Sequence, residues 1–404
     1  FSFENLKLDY GVAAKRSRQV SDRLVKGVGF LMRKNNIAVF MGEARLTKPT
    51  TVSVKDKDGT PAPGAGAGET TELTAKNVIV ATGASAAVPG AWKVDGEKVV
   101  TYLEAILQEK LPKSAIVIGS GAIGVEFSTV WNSYGVDVTV VEMLPRLIPL
   151  EDEEVSKELK KEFEKRGIKC LVGNKVESVE ATAKGVKVKV SAEGKETTLE
   201  AEQALVAIGF RPNSKGLGLE EVGVKINERG FVEINEKMQT SVPNIYAIGD
   251  VTGKLMLAHV GSAMGIVAAE NIAGAETVTL DYEMMPRATY SQPQVASFGL
   301  TEAQAKERGY NIKVGRFPFQ PNGKALGLGD YAGFVKIVVD EKYGEILGAH
   351  MIGPEVTELL PELTLAHMME LTPHEIARNV HAHPTLSEVL MEAAHAADGT
   401  PIHM

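Results

Sequence analysis

The sequence predicts an α/β fold: two Rossmann-like lobes, each built on a parallel sheet, and a C-terminal α+β domain. Three observations carry this reading. Residues 115–142 run as apolar strand, glycine loop, helix, apolar strand and acid. Two apolar strands close on the same pattern, Ala81-Thr82-Gly83 and Ala207-Ile208-Gly209, which indicates two related lobes. From about Asp281 the composition changes, and strand-like stretches are followed by a run of helical ones.

The 115–142 unit organises the rest. Residues 115–118 form a buried strand, and Gly119-Ser120-Gly121-Ala122-Ile123-Gly124 turns into a helix that ends near Gly135. Gly119 permits the tight turn, Gly121 lets a pyrophosphate approach the backbone, and Gly124 allows close helix–strand packing. The phosphates would sit at the helix N-terminus, where unpaired N–H groups and the dipole favour anions. Glu142 ends the next strand, about 20 residues on, where an acid accepts hydrogen bonds from the adenosine ribose hydroxyls. An acid there repels a 2′-phosphate, so the reading is NAD(H) rather than NADP(H). A Gly-rich turn in some other α/β fold is the plainer alternative.

Composition bounds the class. The 404 residues suffice for two to four domains, and 44% apolar with 24% charged residues describe an ordinary globule. A net charge of −8 argues mildly against nucleic acid or anionic membranes as partners. No apolar run reaches the ~18 residues that span a bilayer. The one cysteine, Cys170, excludes an intramolecular disulfide and fits a reducing, cytoplasmic compartment. It lies in an apolar strand without a second cysteine or histidine beside it, the setting of a core residue. The first residue is Phe1 and no start signal is visible, so the sequence is expected to lack its natural beginning.

Taken in order, residues 12–35 look helical, with Val20, Leu24, Val28 and Leu31 on one apolar stripe beside a basic early part. Strands are expected at 37–40 and 51–54, a flexible loop at 61–68, and a strand at 73–80. A short helix falls at 102–108. After Glu142 come a helix at 152–165, with Val155, Leu159 and Phe163 four apart, and a strand at 168–172. Alternation over 176–199 predicts an antiparallel crossover. The strand at 245–248 ends in Gly249-Asp250, where an acid meets ligands of a parallel sheet. The helix at 257–271 offers a second anion-favouring N-terminus near Leu257-Ala258-His259. The last domain should hold strands within 288–298, 334–339 and 346–352 and helices at 356–369, 373–380 and 386–394.

That domain ends in His381-Ala382-His383-Pro384-Thr385-Leu386-Ser387-Glu388. Pro384 is expected at a first helical position, with Glu388 about a turn inside the helix. A carboxylate within reach of one imidazole nitrogen fixes the tautomer and raises the basicity of the other. The same residues also read as a capped helix with an incidental histidine. A metal site from His381 and His383 is a third idea, but no third ligand is evident.

The stretches IGSGAIGVEF, VEMLPRLIP, AIGFRPN, TSVPNIYAIGD, MLAH and HAHPTLSE together resemble the dihydrolipoamide dehydrogenase branch of the flavin disulfide reductases, the class I pyridine nucleotide-disulfide oxidoreductases. They span about 80–400. The resemblance implies an FAD domain at 1–111 and 238–280, an inserted NAD domain at 112–237, and a dimerisation domain at 281–404. It implies FAD near Ala44, Thr82, Gly83, Ala84, Asp250, Met256, Leu257, Ala258 and His259. It implies NAD at Gly119, Gly121, Ala122, Ile123, Gly124, Glu126, Glu142, Val176 and Gly209. His383 would be the base that takes a thiol proton from dihydrolipoamide, with Glu388 orienting it. The implied partners are a second copy of the chain, in a homodimer, and the lipoyl domains of 2-oxoacid dehydrogenase or glycine-cleavage complexes.

One departure is large. The family's first GxGxxG and its CxxxxC redox pair are not in this sequence, and truncation is the expected reason. Two rival readings follow: an NADH oxidase or transhydrogenase of the same fold, and a non-catalytic NAD-binding dimer scaffold.

Overall fold

The computed structural model describes residues 4–56 and 70–403; the loop expected at 61–68 lies outside them. The chain forms two compact units. One holds residues 86–209 and 283–403, with 4–10; the other holds 11–56, 70–85 and 210–282.

In the first unit, a five-stranded parallel sheet runs in the order Val99–Val100, Gln203–Val206, Ser114–Ile118, Asp137–Glu142, Lys169–Val172. Its strands are Val- and Ile-rich because both faces are covered. Val117, Val138, Val140 and Leu205 are fully buried. The helix Ala122–Ser133 crosses between two of these strands and buries Trp131. The helix Glu153–Lys165 lays Val155, Leu159 and Phe163 on the same core, each contributing about 1.5–3 kcal/mol of burial. Asp152 caps it by accepting the Glu154 N–H. The antiparallel crossover is Lys175–Thr182, Gly185–Ala192 and Lys195–Ala201. Val186, Val188 and Val190 face inward and Lys187 and Lys189 outward. Cys170 is half-buried against the same core, and burial pushes its thiol up to about 12.

The C-terminal part is a five-stranded antiparallel sheet, in the order Arg287–Thr289, Gln294–Gly299, Ile346–Gly353, Phe334–Asp340, Ile312–Pro318. The helices Val356–Met368, Pro373–Arg378 and Glu388–Ala397 accompany it. Gly315 fixes how closely the last helix sits: a Cβ there would strike the carbonyl of Ala393 and crowd Ala397.

The second unit holds the helix Tyr10–Lys34 from its second residue on, a three-stranded sheet (Glu43–Lys48, Thr51–Lys55, Thr70–Thr74) and most of two short strand pairs. In one pair, Val78–Val80 runs parallel to Ile245–Ala247. In the other, Ala84–Ala86 pairs with Phe210–Pro212. The helix Ala258–Ala273 follows the one-turn 3₁₀ segment Gly249–Thr252. Leu46, Val80, Ile245, Ala247 and Val251 form its core.

Two expectations need correction, and one apolar face stands exposed. Residues 37–40 are not a strand; they lead from the first helix into the three-stranded sheet without pairing. The stripe of Val20, Leu24, Val28 and Leu31 is not buried: each is exposed, and of the Tyr10–Lys34 helix Ala14 alone is buried. Pro384 does not open a helix: its peptide bond with His383 is cis, and the last helix starts at Glu388, its first residue rather than a turn inside.

Candidate active site

The glycine loop of the parallel sheet is built as its sequence demands. Gly119 sits at φ +97°, and a Cβ there would strike the Ala207 carbonyl of the neighbouring strand end. A Cβ on Gly124 would strike the Gly119 carbonyl. Gly121 differs, because nothing lies within 4 Å of the place its Cβ would occupy. It precedes the helix Ala122–Ser133, whose start no side chain caps. Gly121 and Ala122 are exposed and Ile123 is half-buried, so the loop presents open space over a helix N-terminus. That is the donor set of an anion site.

Glu142 closes the loop from behind. Its Oε2 accepts from the Ser120 N–H at 2.9 Å and the Ser120 hydroxyl at 2.8 Å; its Oε1 accepts from the Leu144 N–H at 2.9 Å. It is buried. A carboxylate has about four lone-pair sites, so acceptor capacity remains after these three bonds. Glu126, on the helix, accepts the Tyr290 N–H at 2.8 Å, and burial raises its carboxyl. Gly209, at φ +113°, ends the strand beside Gly119, and Val176 lies on the adjoining antiparallel sheet.

In the second unit a groove of about 450 Å³ is lined by Ala81, Gly83, Gly249, Asp250, Leu257 and Ala258, among others. Gly261 and Gly265 continue it along the helix. A Cβ on Gly261 would come within 3.4 Å of Gly249, so small residues keep the helix against the strand ends. No side chain caps the start of this helix at Leu257. Asp250 is half-buried, and burial raises its carboxyl. Met256 and His259 flank Leu257 and Ala258 in sequence. Thr82 belongs to a neighbouring cleft, where its hydroxyl donates to the Asn213 carbonyl at 2.7 Å. Ala84 lies on the strand Ala84–Ala86, and Ala44 is exposed on the strand Glu43–Lys48.

His383 and Glu388 are brought together. The imidazole Nδ1 lies 2.9 Å from Glu388 Oε1. Glu388 Oε2 accepts the Thr385 N–H at 2.8 Å. Burial opposes its ionisation, but the Thr385 N–H and the His383 ring outweigh it, and its carboxyl is held below the usual value. The His383 side chain is 77% exposed, so the ring presents its other nitrogen outward.

Sequence reasoning missed two features. His381 does not face a metal set: its Nε2 meets Glu362 Oε1 at 2.9 Å, its Nδ1 meets the Asn379 carbonyl, and its side chain is 4% exposed. Glu362, 19 residues upstream, gave no local spacing signal. Lys336, read only as part of a strand, is buried among Asp152, Glu154 and Glu302 at 3.2, 2.7 and 2.8 Å.

The pyridine nucleotide-disulphide oxidoreductase profile matches residues 3–265, and the dimerisation-domain profile of the same family matches residues 285–394. The chain belongs to this family. Among its pyridine nucleotide-disulphide oxidoreductase relatives, the dihydrolipoyl dehydrogenase of Mycobacterium leprae is 54% identical over 98% of this chain and 83% of its own. That of Corynebacterium glutamicum is 49% identical over the same shares. Among solved structures, LpdA from Mycobacterium tuberculosis superposes with a TM-score of 0.88 at 27% identity, covering 96% of this chain and 84% of that one. The family match makes the two Rossmann-like lobes and the dimerisation domain the fold, and the dimerisation domain supports a homodimer. Among the described residues no helix is long and apolar enough to cross a membrane.

Proposed function

We propose that the chain catalyses the dihydrolipoyl dehydrogenase reaction: dihydrolipoamide + NAD⁺ → lipoamide + NADH + H⁺, with FAD as the intermediate carrier. The observation that carries this is the His383–Glu388 pair. The other two readings of the sequence, an oxidase and a scaffold, have no need of an exposed, carboxylate-oriented imidazole.

The residues present fit the cofactors. The open space at Gly121 over an uncapped helix start suits a dinucleotide pyrophosphate, with Glu142 behind the loop. The groove along Gly83, Gly249 and Asp250 suits the ribityl and phosphate part of FAD, with Asp250 accepting from hydroxyl groups. Bound FAD and NAD supply the two-electron transfer itself. The chain's own part is proton handling and binding. With His383 Nδ1–H donating to Glu388, the neutral ring carries its lone pair on Nε2. That nitrogen accepts a proton from a dihydrolipoamide thiol, and Glu388 stabilises the imidazolium that results. The sequence holds one cysteine, so no disulfide-exchange step is assigned to its residues.

The partner is a lipoyl group carried on the lipoyl domain of a 2-oxoacid dehydrogenase or glycine-cleavage complex, and the compartment is the cytoplasm. The test is the visible spectrum of the purified protein before and after dihydrolipoamide, with NADH formation followed in parallel. A yellow protein that reduces NAD⁺ only with the dithiol supports the assignment. A colourless protein that still binds NADH would sink it in favour of the scaffold.

A further inference from the structure

The C-terminal sheet carries one polar residue from each of its five strands in a single row. Arg287 pairs with Ser297, Ser297 with His350, His350 with Lys336, and Lys336 with Arg316. Opposite the row lies the acidic run Glu151-Asp152-Glu153-Glu154, which opens the helix Glu153–Lys165. Arg287 reaches Glu151 at 3.8 Å, Lys336 reaches Asp152 and Glu154, and Arg316 reaches Glu154 at 3.2 Å. Lys336 and Asp152 are almost wholly buried, at 2% and 3% side-chain exposure. Burial disfavours the Lys336 ammonium, but its three carboxylate neighbours outweigh that and push it up to about 12.

From this seam a short covalent and hydrogen-bonded path leads to the glycine loop. Three residues before Glu151 stands Ile148, buried and at φ +39°. A β-branched residue in the left-handed region is strained and persists only where its surroundings impose it. The surroundings are visible. The Ile148 carbonyl accepts the Glu151 N–H at 2.9 Å and the Ser156 hydroxyl at 3.4 Å. Its N–H donates to the Ser120 carbonyl at 3.1 Å. Ser120 is the residue between Gly119 and Gly121, and its other polar groups are tied to Glu142.

We propose that Ile148, held in its strained turn by the ion pairs of Lys336, is a positioning residue for the dinucleotide loop, so that the C-terminal sheet helps set the affinity for NAD. The proposal rests on the reading of that loop as the NAD site. It differs from a purely structural role because the path ends on the loop itself. Coupling along such a connected path is a physical claim that demands a measured coupling.

The experiment is calorimetric titration of the purified protein with ADP-ribose, which carries the pyrophosphate and both riboses but no nicotinamide. Ile148→Pro removes the N–H that donates to the Ser120 carbonyl and cannot adopt φ +39°, and Lys336→Met removes the ammonium. Each is expected to weaken ADP-ribose about 10-fold, the scale of such coupling, and to raise KM for NAD⁺ with little change in kcat. Lys336→Arg keeps the charge and should stay near the wild type. In the double variant the effect of Lys336→Met should largely vanish, because its route through Ile148 is already cut. Should Lys336→Met fail to fold, Asp152→Asn replaces it, keeping the helix cap while removing the facing charge. Folded variants with wild-type ADP-ribose affinity overturn the proposal, as do two fully additive effects. Wild-type protein that does not bind ADP-ribose overturns the NAD reading itself, a separate outcome.

Discussion

His383 and Glu388 are joined by a 2.9 Å hydrogen bond from imidazole Nδ1 to carboxylate Oε1, and the second carboxylate oxygen is occupied by the Thr385 N–H. Glu388 therefore cannot turn away without losing a backbone bond, and the imidazole it holds is fixed in one tautomer. Replacing His383 by Gln should cut dihydrolipoamide oxidation by ~10²–10⁴-fold, the usual contribution of a positioned base. Glu388→Gln keeps the ring but loses the carboxylate that orients it, and should cost less in rate than His383→Gln. Stopped-flow measurement of NADH formation across pH decides both, and wild-type turnover in His383→Gln would remove the residue from the mechanism.

Gly119 and Gly121 belong to one motif but should fail differently. An alanine at Gly119 meets the Ala207 carbonyl from a φ of +97°, so Gly119→Ala should lower the melting temperature. An alanine at Gly121 meets nothing in the protein. Gly121→Ala should cost about 1 kcal/mol or less, as a helix cap change, yet weaken NADH binding because its methyl occupies the ligand's approach. Thermal unfolding paired with NADH titration separates the two. Equal stability losses in both variants would contradict the open geometry at Gly121.

The Glu362–His381 pair gives a pH-dependent contribution to stability. Glu362 raises the His381 imidazole above its ordinary 6.5; burial opposes the shift, and the Asn379 carbonyl and Glu388 add to it. A raised folded-state value means that the folded protein holds the proton more tightly than the unfolded chain. The contribution is then full below pH 6.5 and is lost as pH rises through the raised value. Glu362→Gln should destabilise by about 1.5–3 kcal/mol at pH 6, the range for a hydrogen bond to a charged group, and by much less at pH 9. Urea unfolding at the two pH values tests it, and a pH-independent difference would show that the pair is not ionised.

How much of this was legible in the sequence follows from the range of the interactions. The glycine loop, Glu142 and the His383–Glu388 pair lie within short segments, where spacing reports geometry directly. The stripe Val155, Leu159, Phe163 was equally readable, because a helix repeats its contacts locally. Lys336 was not readable: it sits in the apolar strand Phe334–Asp340, and its partners Asp152 and Glu154 lie more than 180 residues away. Nor was Ile148, since nothing in LPRLIP marks a left-handed turn at a β-branched residue. The stripe on the first helix was legible as an apolar face, but periodicity does not report what covers it. Pro384 misled because a proline shortly before a helix suits its first turn and a bend ahead of it equally.

His350 supplies the opposite pH arm to His381. It is completely buried in the row across the C-terminal sheet, with Nε2 2.9 Å from the Leu300 carbonyl. A nitrogen facing a carbonyl must carry the proton, so the neutral ring has its lone pair on Nδ1, which has no partner among the described residues. Burial holds the imidazole below 6.5; the Leu300 carbonyl, Asp152 and Glu151 pull it up, and Arg287 pushes it further down. Lys336, its cross-strand neighbour, adds a second nearby cation. A depressed folded-state value means that the unfolded chain takes the proton first. Stability from this group is full above pH 6.5 and declines as pH falls toward the depressed value, by up to about 1.4 kcal/mol per pH unit. The His381 contribution changes above pH 6.5 and the His350 contribution below it, so a difference between variants isolates the second. Subtracting the His350→Gln curve from the wild-type curve should give a slope between pH 5 and 6.5 that disappears above pH 7. A difference that is flat below pH 6.5 and falls above it would mean instead that the ring stays protonated in the fold, with Nδ1–H turned toward Glu151, whose Oε2 is also buried without a partner among the described residues.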